Sequence, residues 1–142
     1  MTTITQDQAR RMIDATLARG RQMGLKPLAV IVLDAGGNVQ AFAKEDGASA
    51  GRFQIAHAKA HGVVMLGVAG RAQAAMAAER PVFMGALNGV YGGQTLPVPG
   101  GVLLRDSAGT VVGALGVTGD TSDNDAAAGL AGAEAAGLSG EA

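Results

Sequence analysis

A chain of 142 residues, 48% hydrophobic but only 3% aromatic, is long enough to bury its own core and must build it from Ala, Val, Leu, Ile and Met. The absence of Cys excludes disulfides and thiolate ligation of zinc, iron–sulfur clusters or haem. The net charge of −1 hides an asymmetry: residues 106–142 carry six acids and no base, leaving 11 basic and 6 acidic groups elsewhere. That surplus is too dilute, with so few aromatics, for a nucleic-acid surface.

The opening MTTITQDQARR lacks the apolar run of a secretory signal, and no later segment approaches a membrane span, so a soluble, cytoplasmic protein is expected. Thr5 and Gln8 have the spacing of a capping box. Ala9, Met12, Ile13 and Leu17 continue as a helical stripe, with Gly24 as the stop. PLAVIVLDAGGNVQAFAKEDG reads as strands at 28–33 and 38–43 joined by a turn at Gly36-Gly37-Asn38. Helices follow at about 51–67 and 71–79, the second ending at the Arg80-Pro81 break. Residues 85–100, with five glycines and two prolines, are expected to be mostly irregular. GVLLRDSAGTVVGALGVTG forms a second hairpin turning near Ser107-Ala108-Gly109. DTSDNDAAAGLAGAEAAG closes the chain as a helix, its first-turn acids favoured by the helix dipole. Together these elements predict one α+β domain spanning 1–142, with a central antiparallel sheet flanked by helices. The 84–90 and 112–117 segments echo each other but do not make a repeat.

IAHAKAHG, at 55–62, carries the functional signal. At ~100° per residue, Arg52, Ile55, Ala56, Lys59, Val63 and Leu66 share one narrow stripe, while Gln54, His57 and His61 fall on the far side. Lys59 is thus a charge on an apolar face. It must snorkel, find a carboxylate or lower its pKa, and Asp34 and Asp46 are its expected acidic neighbours. Lys59 then reads either as a pocket group (anion clamp, acid/base or amine nucleophile) or as half of a structural ion pair. The histidines have the i, i+4 spacing that can share a metal or present an imidazole to haem, but no third ligand accompanies them and no metal site is expected. The GALGVTG glycines fit close sheet packing, and the DTSDND acids fit capping better than calcium binding. Tyr91, between glycines, is a candidate to cover a ligand.

Taken together, LAVIVLDAGGNVQAFAKEDGA, FQIAHAKAH and GGVLLRDSAGTVVGALGVTGDTSDND resemble the GlcG/HbpS family of haem-binding-like proteins, which includes the C-terminal domain of PduO-type adenosyltransferases. The resemblance spans nearly the whole chain. It implies an α+β domain assembled into symmetric homo-oligomers, with Asp34, Asp46, Lys59, Gly116, Gly119 and Asp125 at positions the family pattern expects. Some relatives bind haem, some lie in glycolate or propanediol gene neighbourhoods, and others look like small enzymes of aromatic catabolism. This chain departs from the pattern in several places. Its opening helix has no His to ligate haem, Lys44-Glu45 replaces Arg-Met before the D-G turn, and Gly62 stands where Thr or Ser is common.

Two readings follow. In the first, a small cofactor-free enzyme acts as a tautomerase, deaminase or hydrolase on a carboxylated, conjugated metabolite such as an aromatic ring-cleavage product. Arg52 anchors the carboxylate, and Lys59, tuned by Asp34 and Asp46, serves as acid/base or amine. In the second, a non-enzymatic homo-oligomer holds a small anionic or planar ligand through Lys59, Arg52 and the Gly-rich 89–101 loop; haem is the named candidate, held by His57, His61 or Tyr91, or by Lys59 and Arg52 on its propionates.

Overall fold

The computed structural model describes residues 3–142. The chain runs α1 (Gln6–Gln22), β1 (Ala29–Asp34), β2 (Val39–Lys44), α2 (Arg52–Leu66), α3 (Gly70–Glu79), α4 (Pro81–Val90), β3 (Gly101–Arg105), β4 (Val111–Thr118), α5 (Ser122–Ala135) and β5 (Ser139–Glu141). The capping box forms as expected: Thr5 accepts from the Gln8 amide at 3.1 Å and Gln8 Oε1 accepts from the Thr5 amide at 3.0 Å. No helix of the described residues is long and apolar enough to cross a membrane.

All strand pairs are antiparallel, in the order β2-β1-β4-β3-β5. The central strands β1 and β4 are buried along nearly their whole length, because helices cover both faces of the sheet. Their unbroken apolar runs are the sequence consequence of that double cover. Val30, Val32, Leu115 and Val117 join Met12, Ile13 and Ala128 in the core shared with α1 and α5. Ile31, Leu33 and Ala114 face α2, where they meet Ala56, Ala60 and Val63.

Small residues set how closely the layers approach. A Cβ on Gly116 would overlap the Ala56 carbonyl of α2, and one on Gly132 of α5 would overlap the Thr16 hydroxyl of α1. The glycine-rich composition therefore reflects interlayer contact as well as turns.

Two elements depart from expectation. Residues 81–90 are helical, so Arg80-Pro81 starts a helix as well as ending one. Arg80 adopts the non-helical backbone that a following proline demands, and Pro81 occupies the first turn, where its missing amide is not needed. The irregular stretch is accordingly 91–100. β5, after the last helix, is a strand by partnership: Ser139, Gly140 and Glu141 pair with Arg105, Leu104 and Leu103 along the outer edge of β3.

Candidate functional site

Helix α2 carries two distinct clusters on two sides. On the sheet side, Lys59 reaches the point where β3 begins. Its ammonium donates to the Val117 carbonyl at 2.9 Å and to Asp125 Oδ2 at 3.1 Å. Val117 lies just past the β3–β4 pairing, so the lysine takes the place a strand amide would otherwise fill. Asp125, in the first turns of α5, also accepts from the Asp120 amide on Oδ1 at 3.0 Å. The lysine and aspartate side chains are only 4% and 1% exposed. The turn before β3 closes over them: a Cβ on Gly100 would come within 2.8 Å of the ammonium. Burial pulls the Lys59 pKa below its ordinary value, Asp125 opposes that pull, and the Arg52 charge adds to it. Arg52, two turns earlier on the helix, donates to the Thr118 hydroxyl at 2.8 Å.

The expected partners of Lys59, Asp34 and Asp46, are elsewhere. Val117 pairs with Val30, whereas Asp34 pairs with Gly113 at the other end of the sheet, roughly 13 Å along the strand at ~3.3 Å per residue. Asp34 instead organises the β1–β2 turn, accepting from the Gly36 and Asn38 amides, both at 2.9 Å, and from the Asn38 side chain. Burial pushes its pKa up, but these bonds outweigh that and hold it below the ordinary value. Asp46 follows β2, the edge strand on the opposite side of β4 from β3, and is exposed in a surface cleft with Arg21, Pro27, Lys44 and Glu45. Asp125, expected as a capping acid at the start of α5, is the counter-ion of Lys59.

On the outer flank of α2, Phe53, His57 and His61, spaced i, i+4 and i+8, stack in a column. The Phe53–His57 centroids are 5.9 Å apart with planes at 24°, and the His57–His61 centroids are 5.2 Å apart at 20°. Phe42 of β2 meets Phe53 edge-on at 5.0 Å. The β1–β2 turn borders the same flank, since a Cβ on Gly37 would lie 3.1 Å from the Met65 methyl and 3.9 Å from His61 Nε2. Phe53 is 40% exposed, and both histidines are half-buried. Burial and then the His61 charge hold the His57 pKa below its usual value. Imidazole lone pairs lie in the ring planes, so two stacked, nearly parallel rings do not converge on one metal ion. Among the described residues there is also no cluster of three His, Asp or Glu able to hold one.

The loop after α4 reaches this column. His61 Nδ1 lies 2.9 Å from the Gln94 carbonyl. That loop is tied to α4 by Asn88, whose Oδ1 accepts from the Thr95 hydroxyl at 2.6 Å and the Thr95 amide at 3.1 Å. Tyr91 caps α4 three residues before Gln94 and is half-buried. Thus the structure brings His57 and His61 together, and Arg52 near Lys59, but it places the two groups on different sides of α2. Phe42, Phe53, Gln94 and Asp125 are additions to the expected residues.

The family model described as haem-degrading protein HbpS-like matches residues 4–134. Among solved structures, HbpS is 26% identical, with a TM-score of 0.82 over 94% of this chain and 90% of that one. A PduOC–haem complex is 20% identical, with a TM-score of 0.85 over 96% and 97%. Klebsiella pneumoniae protein ORFY is 23% identical, with a TM-score of 0.83 over 96% and 92%. Among curated proteins, none matches in sequence.

Proposed function

The chain belongs to the HbpS-like family, and from that premise we propose that it is a binding protein for haem or a closely similar planar ligand, held on the outer flank of α2. The observation that carries this reading is the half-exposed column of Phe53, His57 and His61. It offers imidazole nitrogen beside aromatic rings on one accessible surface, which is the donor chemistry a porphyrin iron and its macrocycle require. Bound there, haem would supply a redox-active iron. The protein's part is to hold it, with imidazole at the metal and Phe42, Phe53 and Met65 against the ring; Arg52, bound to Thr118 on the sheet side of the helix beside Lys59, is not part of that surface. The relatives' names support the ligand class, as one solved neighbour is a haem complex.

The enzymatic reading, with Lys59 acting on a carboxylated conjugated metabolite, is the weaker of the two. Its support is the lowered pKa of Lys59 beside Arg52. Against it, the ammonium is already bound to Val117 and Asp125, and a substrate would reach it only after the Gly100 turn moved away. Self-association through α4 completes the proposal, since Val82, Phe83 and Val90 expose apolar surface there, Val82 by 86%.

A haem titration followed by visible spectroscopy tests the reading. The expected result is a saturable, shifted Soret band at a stoichiometry of one per chain, reduced when Phe53 is replaced by Asp. A spectrum identical to free haem at all ratios would overturn it.

A further inference from the structure

We infer that His61 Nε2, held in its ligating form by the Gln94 carbonyl, is the atom of this chain that coordinates the iron, with His57 acting as a packing group beside it. The inference rests on the haem-binding reading above, and narrows it to one nitrogen.

The chemistry begins with the tautomer. A backbone carbonyl can only accept, so the 2.9 Å contact between His61 Nδ1 and the Gln94 carbonyl requires a proton on Nδ1. The neutral ring then carries its lone pair on Nε2. Ligating histidines characteristically donate their second nitrogen in this way to a carbonyl or carboxylate, which fixes ring rotation and strengthens the donor nitrogen. His61 has that orienting partner. For His57, no hydrogen bond among the described residues selects a tautomer, and its stacking with Phe53 and His61 holds the ring without orienting either nitrogen's proton.

The orienting carbonyl is itself fixed. The Gln94 amide donates to the Tyr91 carbonyl at 3.2 Å, and the next residue, Thr95, is bound twice by Asn88. The Nε2 edge of His61 faces Gly37, at a position where any side chain would come within 3.9 Å of that nitrogen. The β1–β2 turn thus borders the Cδ2–Nε2 edge of the ring, a Cβ on Gly37 lying 3.5 Å from His61 Cδ2, and the φ of +83° at Gly37 suits the turn. Lys59 is committed to Asp125 within the core, so it does not compete for iron. Asn88 is a positioning residue in this scheme.

The test combines two measurements on the wild-type protein, His57→Ala, His61→Ala and Asn88→Ala. The first is ferric haem titration read by Soret position and electron paramagnetic resonance. His61→Ala should lose the imidazole-type spectrum, weaken binding at least about tenfold and regain the spectrum with added imidazole. His57→Ala should keep the spectrum, and Asn88→Ala should weaken binding by roughly the tenfold typical of outer-shell changes. The second, without haem, is nitrogen-15 NMR of the histidine side chains, which should show His61 protonated on Nδ1 in wild type and mixed tautomers in Asn88→Ala. If wild type binds haem and His61→Ala keeps its spectrum, the assignment to His61 fails while the haem reading stands. If wild type shows no shifted Soret band, both fail. An Nε2-protonated His61 in the ligand-free protein overturns the inference by itself.

Discussion

Replacing Lys59 by Met should be among the most damaging single changes in this chain, through folding before any effect on a ligand. The substitution keeps an unbranched apolar stem but removes the ammonium. Asp125 then remains 1% exposed with only the Asp120 amide on its carboxylate, and the Val117 carbonyl loses its donor. Removing one partner of a buried pair costs about 3–5 kcal/mol, because the remaining charge stays out of water without compensation. At about 3 °C per kcal/mol for a chain of this size, the melting temperature should fall by roughly 10–15 °C. The double variant Lys59→Met/Asp125→Asn removes both charges and leaves chiefly the unpaired Val117 carbonyl, worth about 1–3 kcal/mol. Urea unfolding of wild type, both single variants and the double variant gives the coupling directly. The double variant should be more stable than Lys59→Met by about 2 kcal/mol. A loss below about 1 kcal/mol in Lys59→Met, or a double variant no better than the single, would refute the view that this pair is a sealed structural cross-link.

Two further outcomes follow from the same geometry. Asp120, whose carboxylate accepts from the Asn124 side chain at 2.8 Å and from the Lys26 and Thr121 amides at 3.0 and 2.8 Å, has its pKa lowered to about 2. A depressed carboxylate stabilises the fold above its ordinary pKa of 3.8 and loses that contribution as pH falls toward 2. The stability gap between wild type and Asp120→Asn should therefore be constant near neutrality and close between pH 4 and 2, and a gap independent of pH would contradict the assignment. On α4, Val82→Asp with Phe83→Asp should shift the protein to a smaller species in sedimentation equilibrium, without loss of helical signal; unchanged mass would remove α4 from the interface.

Much of the fold was legible because its signals are local. The Thr5–Gln8 box marks the start of α1, the apolar runs mark β1 and β4, and the helical wheel put Lys59 on the buried side of α2 with the histidines on the other. What escaped depends on contacts between distant segments. β5 has no strand-forming side chains of its own and exists because β3 offers an open edge. α4 was hidden by Gly85 and Gly89, which lower helix propensity, yet Pro81 starts a helix there and Met84 is the one side chain it buries. Asp125 was masked because a first-turn acid already has a sufficient local explanation. A better signal was present: Asp125, Gly129 and Gly132 recur at i, i+4 and i+7, and all three are buried. An acid on that stripe needs a basic partner, and Lys59 was the basic residue whose apolar stripe asked for one. The sheet then decides why Asp34 and Asp46 lose: Asp34 pairs at the opposite end of β4 from Val117, and Asp46 follows the edge strand β2, with β1 between it and β4.

The short segment His57-Ala58-Lys59-Ala60-His61 places three basic groups within five residues, and the helix separates them by function. Lys59 points into the protein and binds α2 to β4 and α5 at once through Val117 and Asp125. That cross-link fixes the rotation of α2 about its axis, and the same rotation sets where His57 and His61 stand on the outer flank. A ligand surface on a helix works only if its side chains are held within about half an ångström of productive geometry, which calls for support from behind as well as contacts in front. Here the support from behind is the buried ion pair, and the contact in front is the Gln94 carbonyl. In the binding reading proposed above the lysine acts without touching a ligand, and in the structure it is a cross-link between α2, β4 and α5.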